Sequence, residues 1–441
     1  MASRRLWRWL RRLVLYPFLA FVLAVAGGVT FYELTLYRAT PAHHGVLALT
    51  GATVLVGPEL EPVAGATVLV EDGVITQVGP EVAVPPGAET VDLAGHTVLP
   101  GLIDSHIHFA APEVERGEDP GVLAVPRLVV DWLRSFPAKR RNFLAHGVTS
   151  VRSMGDEYPW INDVRRSVAE GEIEGPRFFV AGPLFTTRGG HPVATIGVDP
   201  ESGTVRIPQS PTQAREMVRE LVTGGDSVDL IKVVQERGDP DRLPLEPIDP
   251  QILQAILAEA HSHDMLVFAH WGTFEDLRDV LAAGVDGLDH LEPRGAGDGW
   301  PAGVMETIIE RGTTLAPTLA VTEVALPADV HSDLRDRVRE FHVAGGRVVA
   351  GSDTAVPGVF SGAGLIRELE LLVDAGLSPH AALVAATSTA AAAMRADHLG
   401  AISPGHAADL LVVEGDPLAD IAAVRSVQLV LRDGRLVVDN R

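Results

Sequence analysis

Val98-Leu99-Pro100-Gly101-Leu102-Ile103-Asp104-Ser105-His106-Ile107-His108 is an apolar run that ends in two histidines one residue apart. Read as a β-strand, its period of two points both imidazoles the same way, where they can share one cation. The pair alone is a weak signal, because any two polar residues on one strand face share that spacing. Its weight comes from the rest of the chain. Seven further β-rich runs alternate with helical stretches: Thr149–Met154, Arg177–Ala181, Val228–Val234, Met265–His270, Gly287–Leu291, Thr314–Ala320 and Arg347–Gly351. Eight strand–helix units in about 290 residues predict an α/β fold, a parallel (β/α)8 TIM barrel. No G-x-G-x-x-G or Walker-type loop opens a helix to suggest a nucleotide-binding open sheet instead.

Outside the barrel the grammar changes. From Gly45 to Leu99 short strands Ala66–Val70 and Val74–Val78 flank Asp72-Gly73, a hairpin signal. The C-terminus repeats it, with Val427–Leu431 and Leu436–Val438 around Asp433-Gly434, after a strand at Ala408–Val413. Neither end has strands enough for a sheet of its own, so one small β-sandwich built from both chain ends is expected. The domain reading is 45–98 with 401–441 as the composite sandwich, and 99–400 as the barrel.

Residues 1–38 stand apart as a basic tip, anchor and linker. Arg4, Arg5, Arg8, Arg11 and Arg12 precede Leu13–Tyr32, which carries no charged side chain. Twenty helical residues span about 30 Å, the thickness of a bilayer's hydrocarbon core. The arginine cluster should hold the N-terminus in the cytoplasm and place the catalytic body outside it, membrane-anchored. Export after cleavage is the alternative, since Ala24-Val25-Ala26 offers a peptidase site.

Composition narrows the function. The chain has 441 residues, 46% of them hydrophobic, enough for a large core. Its 36 basic against 58 acidic residues give a net charge of −22, which argues against a nucleic-acid partner. The absence of cysteine excludes disulfides, thiolate metal sites and cysteine nucleophiles. A small-molecule substrate fits, and a homo-oligomer is compatible with these numbers.

The chain uses lysine only twice, Lys139 and Lys232, and arginine almost everywhere else. Yet Lys232 sits inside the apolar strand Val228-Asp229-Leu230-Ile231-Lys232-Val233-Val234, where a charge is costly. A lysine can be deprotonated there and an arginine cannot. A neutral amine can capture carbon dioxide as a carbamate, a carboxylate-like bridge for two metals; a lysine that snorkels from a strand end is the plainer alternative. His270 and His290 close apolar runs, and Asp353 follows the eighth strand in Gly351-Ser352-Asp353. An unpaired buried carboxylate would be expensive at that position. The linker histidines His43 and His44, and His261 and His263 at a helix end, are given no role.

Pro100-Gly101-Leu102-Ile103-Asp104-Ser105-His106-Ile107-His108 resembles the signature of the amidohydrolase superfamily. Gly189-Gly190-His191, Ile231-Lys232, Ala269-His270, Asp289-His290, Ala316-Pro317-Thr318-Leu319 and Gly351-Ser352-Asp353 come after it in that family's order. The resemblance runs from about Gly51 to the C-terminus and is strongest to the branch of Xaa-Pro dipeptidases and imidazolonepropionase. It implies that His106, His108 and Asp353 hold one divalent metal and His270 and His290 a second, with carboxylated Lys232 between them. Zinc is the default for such ligands. It further implies that Asp353 takes up and returns the proton of an attacking metal-activated hydroxide, and that His191 steadies the substrate. Arg188, three residues before His191, could pair with a substrate carboxylate.

The expected activity is hydrolysis of an amide or cyclic amide C–N bond in a peptide-like or N-acyl amino acid substrate. A lactonase or phosphoesterase on the same site, and a catalytically silent membrane-anchored binding protein, are the alternatives. One departure bears on substrate. Where many relatives continue into a glycine-rich loop after the lysine, this chain reads Val233-Val234-Gln235-Glu236-Arg237-Gly238, and after His270 it reads Trp271-Gly272-Thr273. Loops at strand ends set specificity in this fold, which puts a dipeptide in doubt.

Overall fold

The computed structural model describes residues 2–41, 43–117, 121, 124–291, 293, 296–354 and 356–441. Strands Leu102–Ile107, Val148–Ser153 and Arg177–Val180 form one parallel ladder. Strands Ile231–Gln235, Val267–Trp271, Gly287–Asp289, Thr314–Ala316 and Arg347–Val348 follow one another in a second. Backbone hydrogen bonds join the ladders at both edges. Asp229 N donates to Val180 O at 2.8 Å; on the other side Ser105 N donates to Ala350 O at 2.9 Å and Asp353 N to His106 O at 2.8 Å. The result is a TIM-barrel-like α/β core.

Local chemistry explains the helices that wrap it. Ser210-Pro211 and Asp249-Pro250 open two of them, with the Ser210 and Asp249 side chains accepting from backbone N–H groups of the first turn. Ala214, Val218 and Leu221, one stripe of Pro211–Thr223, are buried. The expected strand Thr314–Ala320 is shorter than its apolar run, because Leu319–Ala325 is a helix.

The stretch Val98–His108 is two strands rather than one. His96–Pro100 belongs to the end sheet and Leu102–Ile107 to the barrel-like core, with the break at Gly101. A Cβ at Gly101 would lie 2.2 Å from Thr149 Oγ1, so only glycine lets the chain pass the neighbouring strand here.

Strands from the two chain ends share one eight-stranded hydrogen-bonded sheet. The reason is direct pairing: His96–Pro100 lies antiparallel to Leu410–Glu414 over five residue pairs, so the ends join edge to edge. Alternation then serves two cores. Leu410 and Val412 pack with Leu49, Val54 and Val98, whereas Leu411 and Val413 join the main core. Both Asp-Gly turns have positive φ at each residue, as tight hairpins need.

Residues Ala2–Thr35 form one helix. Among the described residues no helix is long and apolar enough to cross a membrane. The expected span includes Leu13, Ala24, Val29, Phe31 and Tyr32, whose side chains lie outside the described residues. The transmembrane helix is therefore an expectation that the fold does not support. The chain just beyond is tied to the body, with Arg140 donating to the carbonyls of Leu36 and Tyr37.

Gly101→Ala should cost about 1–3 kcal/mol through overpacking against β-branched Thr149. A denaturant midpoint equal to that of the parent chain would contradict so close an approach of the two strands.

Candidate metal centre

The strand ends bring the expected residues together. His106 is fully buried on Leu102–Ile107, and His108 follows that strand, 29% exposed at its side chain. Asp353 Oδ1 lies 3.5 Å from His106 Nε2 and 3.3 Å from His108 Nε2. Donor atoms of these three residues all fall within 4.8 Å of one another. His290 Nδ1 is 3.7 Å from Asp353 Oδ2, and its ring centre is 4.6 Å from that of His106 and 4.9 Å from that of His270. His290, Thr318 and Asp353 have φ of 70°, 51° and 56°. Such left-handed non-glycine residues are strained, and here they sit where strand turns into loop. Thr318 uses that position to place its Oγ1 2.8 Å from His290 Nδ1.

Behind this cluster lies a buried ionic layer. Lys232, 2% exposed on Ile231–Gln235, pairs with fully buried Asp289. Asp289 Oδ1 is also 3.1 Å from His106 Nδ1 and 3.1 Å from the Arg152 guanidinium, which stacks 3.9 Å over the Phe268 ring. Burial alone would raise the Asp289 carboxyl, but Lys232 and His106 outweigh it and hold it well below the usual carboxylate range. Burial lowers the Lys232 ammonium, despite the opposing pull of Asp289.

Burial pushes His106 down to about 4 and His290 well below its ordinary value, which leaves both imidazoles neutral at pH 7. Neutral imidazole is the form that binds metals. For His108 the bond to Asp353 overcomes burial and moves it upward. His191 is pushed down to about 4 by burial and then by His270, on which it stacks with ring centres 5.1 Å apart. Its Nδ1 lies 2.7 Å from Thr195 Oγ1.

The donor set fits a divalent cation. Nε2 of His106 and Oδ1 of Asp353, 3.5 Å apart, are both buried, and Nε2 has no well-formed hydrogen bond among the described residues. Buried polar atoms left so are costly, and a cation on them removes the cost. Imidazole with carboxylate is a zinc-type set. The carboxylate of Asp289 behind His106 matches the outer partner that orients metal-bound histidines.

Arg188 is not brought to the cluster. It pairs at 2.7 Å with Glu201 on the surface, both side chains more than half exposed. Three residues that the sequence alone did not single out do belong here: Asp289, Arg152 and Glu236, the last with Oε2 3.2 Å from His270 Nε2. A signal existed for the first two. Each is a charge inside an apolar strand, the same anomaly that marks Lys232.

The chain matches the amidohydrolase family over residues 97–437. It is 24% identical to an ochratoxinase of Aspergillus niger over 432 residues, covering 87% of this chain and 85% of that protein. Among solved structures, it is similar to a Xaa-Pro dipeptidase with methionine bound in its active site. That match has a TM-score of 0.75 and 24% identity, over 89% of this chain and 99% of the other. An amidohydrolase structure at 28% identity matches with a TM-score of 0.73 over 90% of this chain and 100% of the other. The residues at the strand ends and the match over most of the chain agree: this protein belongs to the amidohydrolase family, and it is a hydrolase acting on carbon–nitrogen bonds.

Proposed function

We propose that the protein hydrolyses an amide or cyclic amide bond of a peptide-like or N-acyl amino acid at a dinuclear centre. The observation that carries this reading is the convergence of His106, His108 and Asp353, whose donor atoms all lie within 4.8 Å of one another. His106, His108 and Asp353 would hold one ion and His270 and His290 the other, with Lys232 as a carbamate between them. Zinc is the metal the donor set favours. When bound, such cations supply Lewis acidity that lowers the pKa of water and polarises a carbonyl.

The residues do the rest. Asp353 is the proton carrier: its carboxylate faces the histidine cluster and is held ionised, with burial opposed and outweighed by His106 and His290. His191, neutral and stacked beside His270, would donate a hydrogen bond to a substrate oxygen. Asp289 and Arg152 fix the orientation of His106 from behind. The similarity to an ochratoxinase and a Xaa-Pro dipeptidase supports an aminoacyl substrate. Membrane anchoring and an extracytoplasmic location rest on the sequence alone, on the arginine cluster ahead of Leu13–Tyr32.

On a panel of N-acyl amino acids and dipeptides, Asp353→Asn should lower kcat by about 10²–10⁴-fold with a smaller change in KM. Lys232→Arg keeps the charge but cannot be deprotonated, so it should lose metal and turnover together. Undiminished activity in the Lys232→Arg protein would sink the carbamate; turnover of esters but of no amide would sink the amidase reading.

A further inference from the structure

Past the end of the strand Ile231–Gln235 the chain places Glu236 beside the end of Val267–Trp271. Its Oε2 lies 3.2 Å from His270 Nε2, with the two side chains only 20% and 19% exposed. Gly272 makes the space: a Cβ there would lie 2.1 Å from Glu236 Cγ and 2.8 Å from its Cδ. The stretches after Lys232 and after His270 thus meet at one carboxylate–imidazole pair.

The spacing of that pair matches the other half of the centre. Two donors each about 2.1 Å from one tetrahedral ion lie about 3.4 Å apart. His108 with Asp353, at 3.3 Å, and His106 with Asp353, at 3.5 Å, have this separation. So does His270 with Glu236. Charge points the same way, since Asp353 and a carbamate offset only half the charge of two divalent cations, and the buried imidazoles contribute none.

We propose that Glu236 is a ligand of the second cation, sharing it with His270. The proposal rests on the dinuclear reading above and adds to it a carboxylate that this chain carries in its own loop. An ordinary hydrogen bond from His270 to Glu236 is the competing account, and glutamine separates the two. Glu236→Gln keeps the shape and an accepting oxygen but removes the charge.

The test is zinc binding to the full-length chain, stripped with a chelator and titrated in bicarbonate buffer. Calorimetry gives the affinities, and elemental analysis after desalting gives the occupancy. The parent chain should bind two ions. Glu236→Gln should bind one of them at least about tenfold more weakly and leave the other unchanged. Glu236→Asp, which keeps the charge on a shorter stem, should fall between, and serves as the probe if the glutamine variant folds poorly. Two sites of parental affinity in Glu236→Gln would overturn the proposal, including the case in which only KM for substrates with a free ammonium rises. A parent chain that binds no zinc would instead overturn the dinuclear reading beneath it.

Discussion

Asp289 has no exposed surface, yet Arg152 and His106 converge on one of its oxygens and the Lys232 amine, until it becomes a carbamate, on the other. Removing one partner from a buried ion cluster costs about 3–5 kcal/mol, because the charges left behind have no water to turn to. The three partners come from three strands, Ile231–Gln235, Val148–Ser153 and Leu102–Ile107, and Asp289 from a fourth. The cluster therefore fixes strand ends relative to one another. It also fixes which nitrogen His106 turns outward, towards Asp353.

A second carboxylate does similar work at the seam between the first and last strands of the core. Asp104 accepts from Ser352 N at 2.9 Å and from Ser352 Oγ at 2.6 Å. Asp353 N donates to His106 O, so the residue pair that begins the proposed metal site is also a rung of backbone pairing. Positive φ at Asp353 is tolerated because these bonds over-determine the local backbone, and at His290 the bond from its N to Ala316 O does the same. Stability and chemistry share the same atoms here, as preorganised sites require.

How much of this could be read in advance depends on the kind of signal. The eight runs were legible because strand and helix periods differ; polar residues in apolar strands drew attention to His106, His108, Lys232, His270, His290 and Asp353, and the family resemblance made them candidate ligands. The break at Gly101 was not legible, since it depends on Thr149 of a neighbouring strand. That strands of both chain ends join was legible in their small number at each end, but the pairing of His96–Pro100 with Leu410–Glu414, which spans over three hundred residues, was not. Arg188 looked well placed by its distance from His191, but loop residues three apart need not face one way, and it finds Glu201 instead. Glu236 stands out in the sequence only as part of a departure from relatives; its approach to His270 depends on the cross-strand space above Gly272.

The central claim is that this constellation is a two-metal centre. Elemental analysis of the full-length chain, produced with bicarbonate and supplemented with zinc, tests it most directly. The account predicts about two tightly held metal ions per chain. A chain that retains only one ion, or none, after supplementation would contradict it.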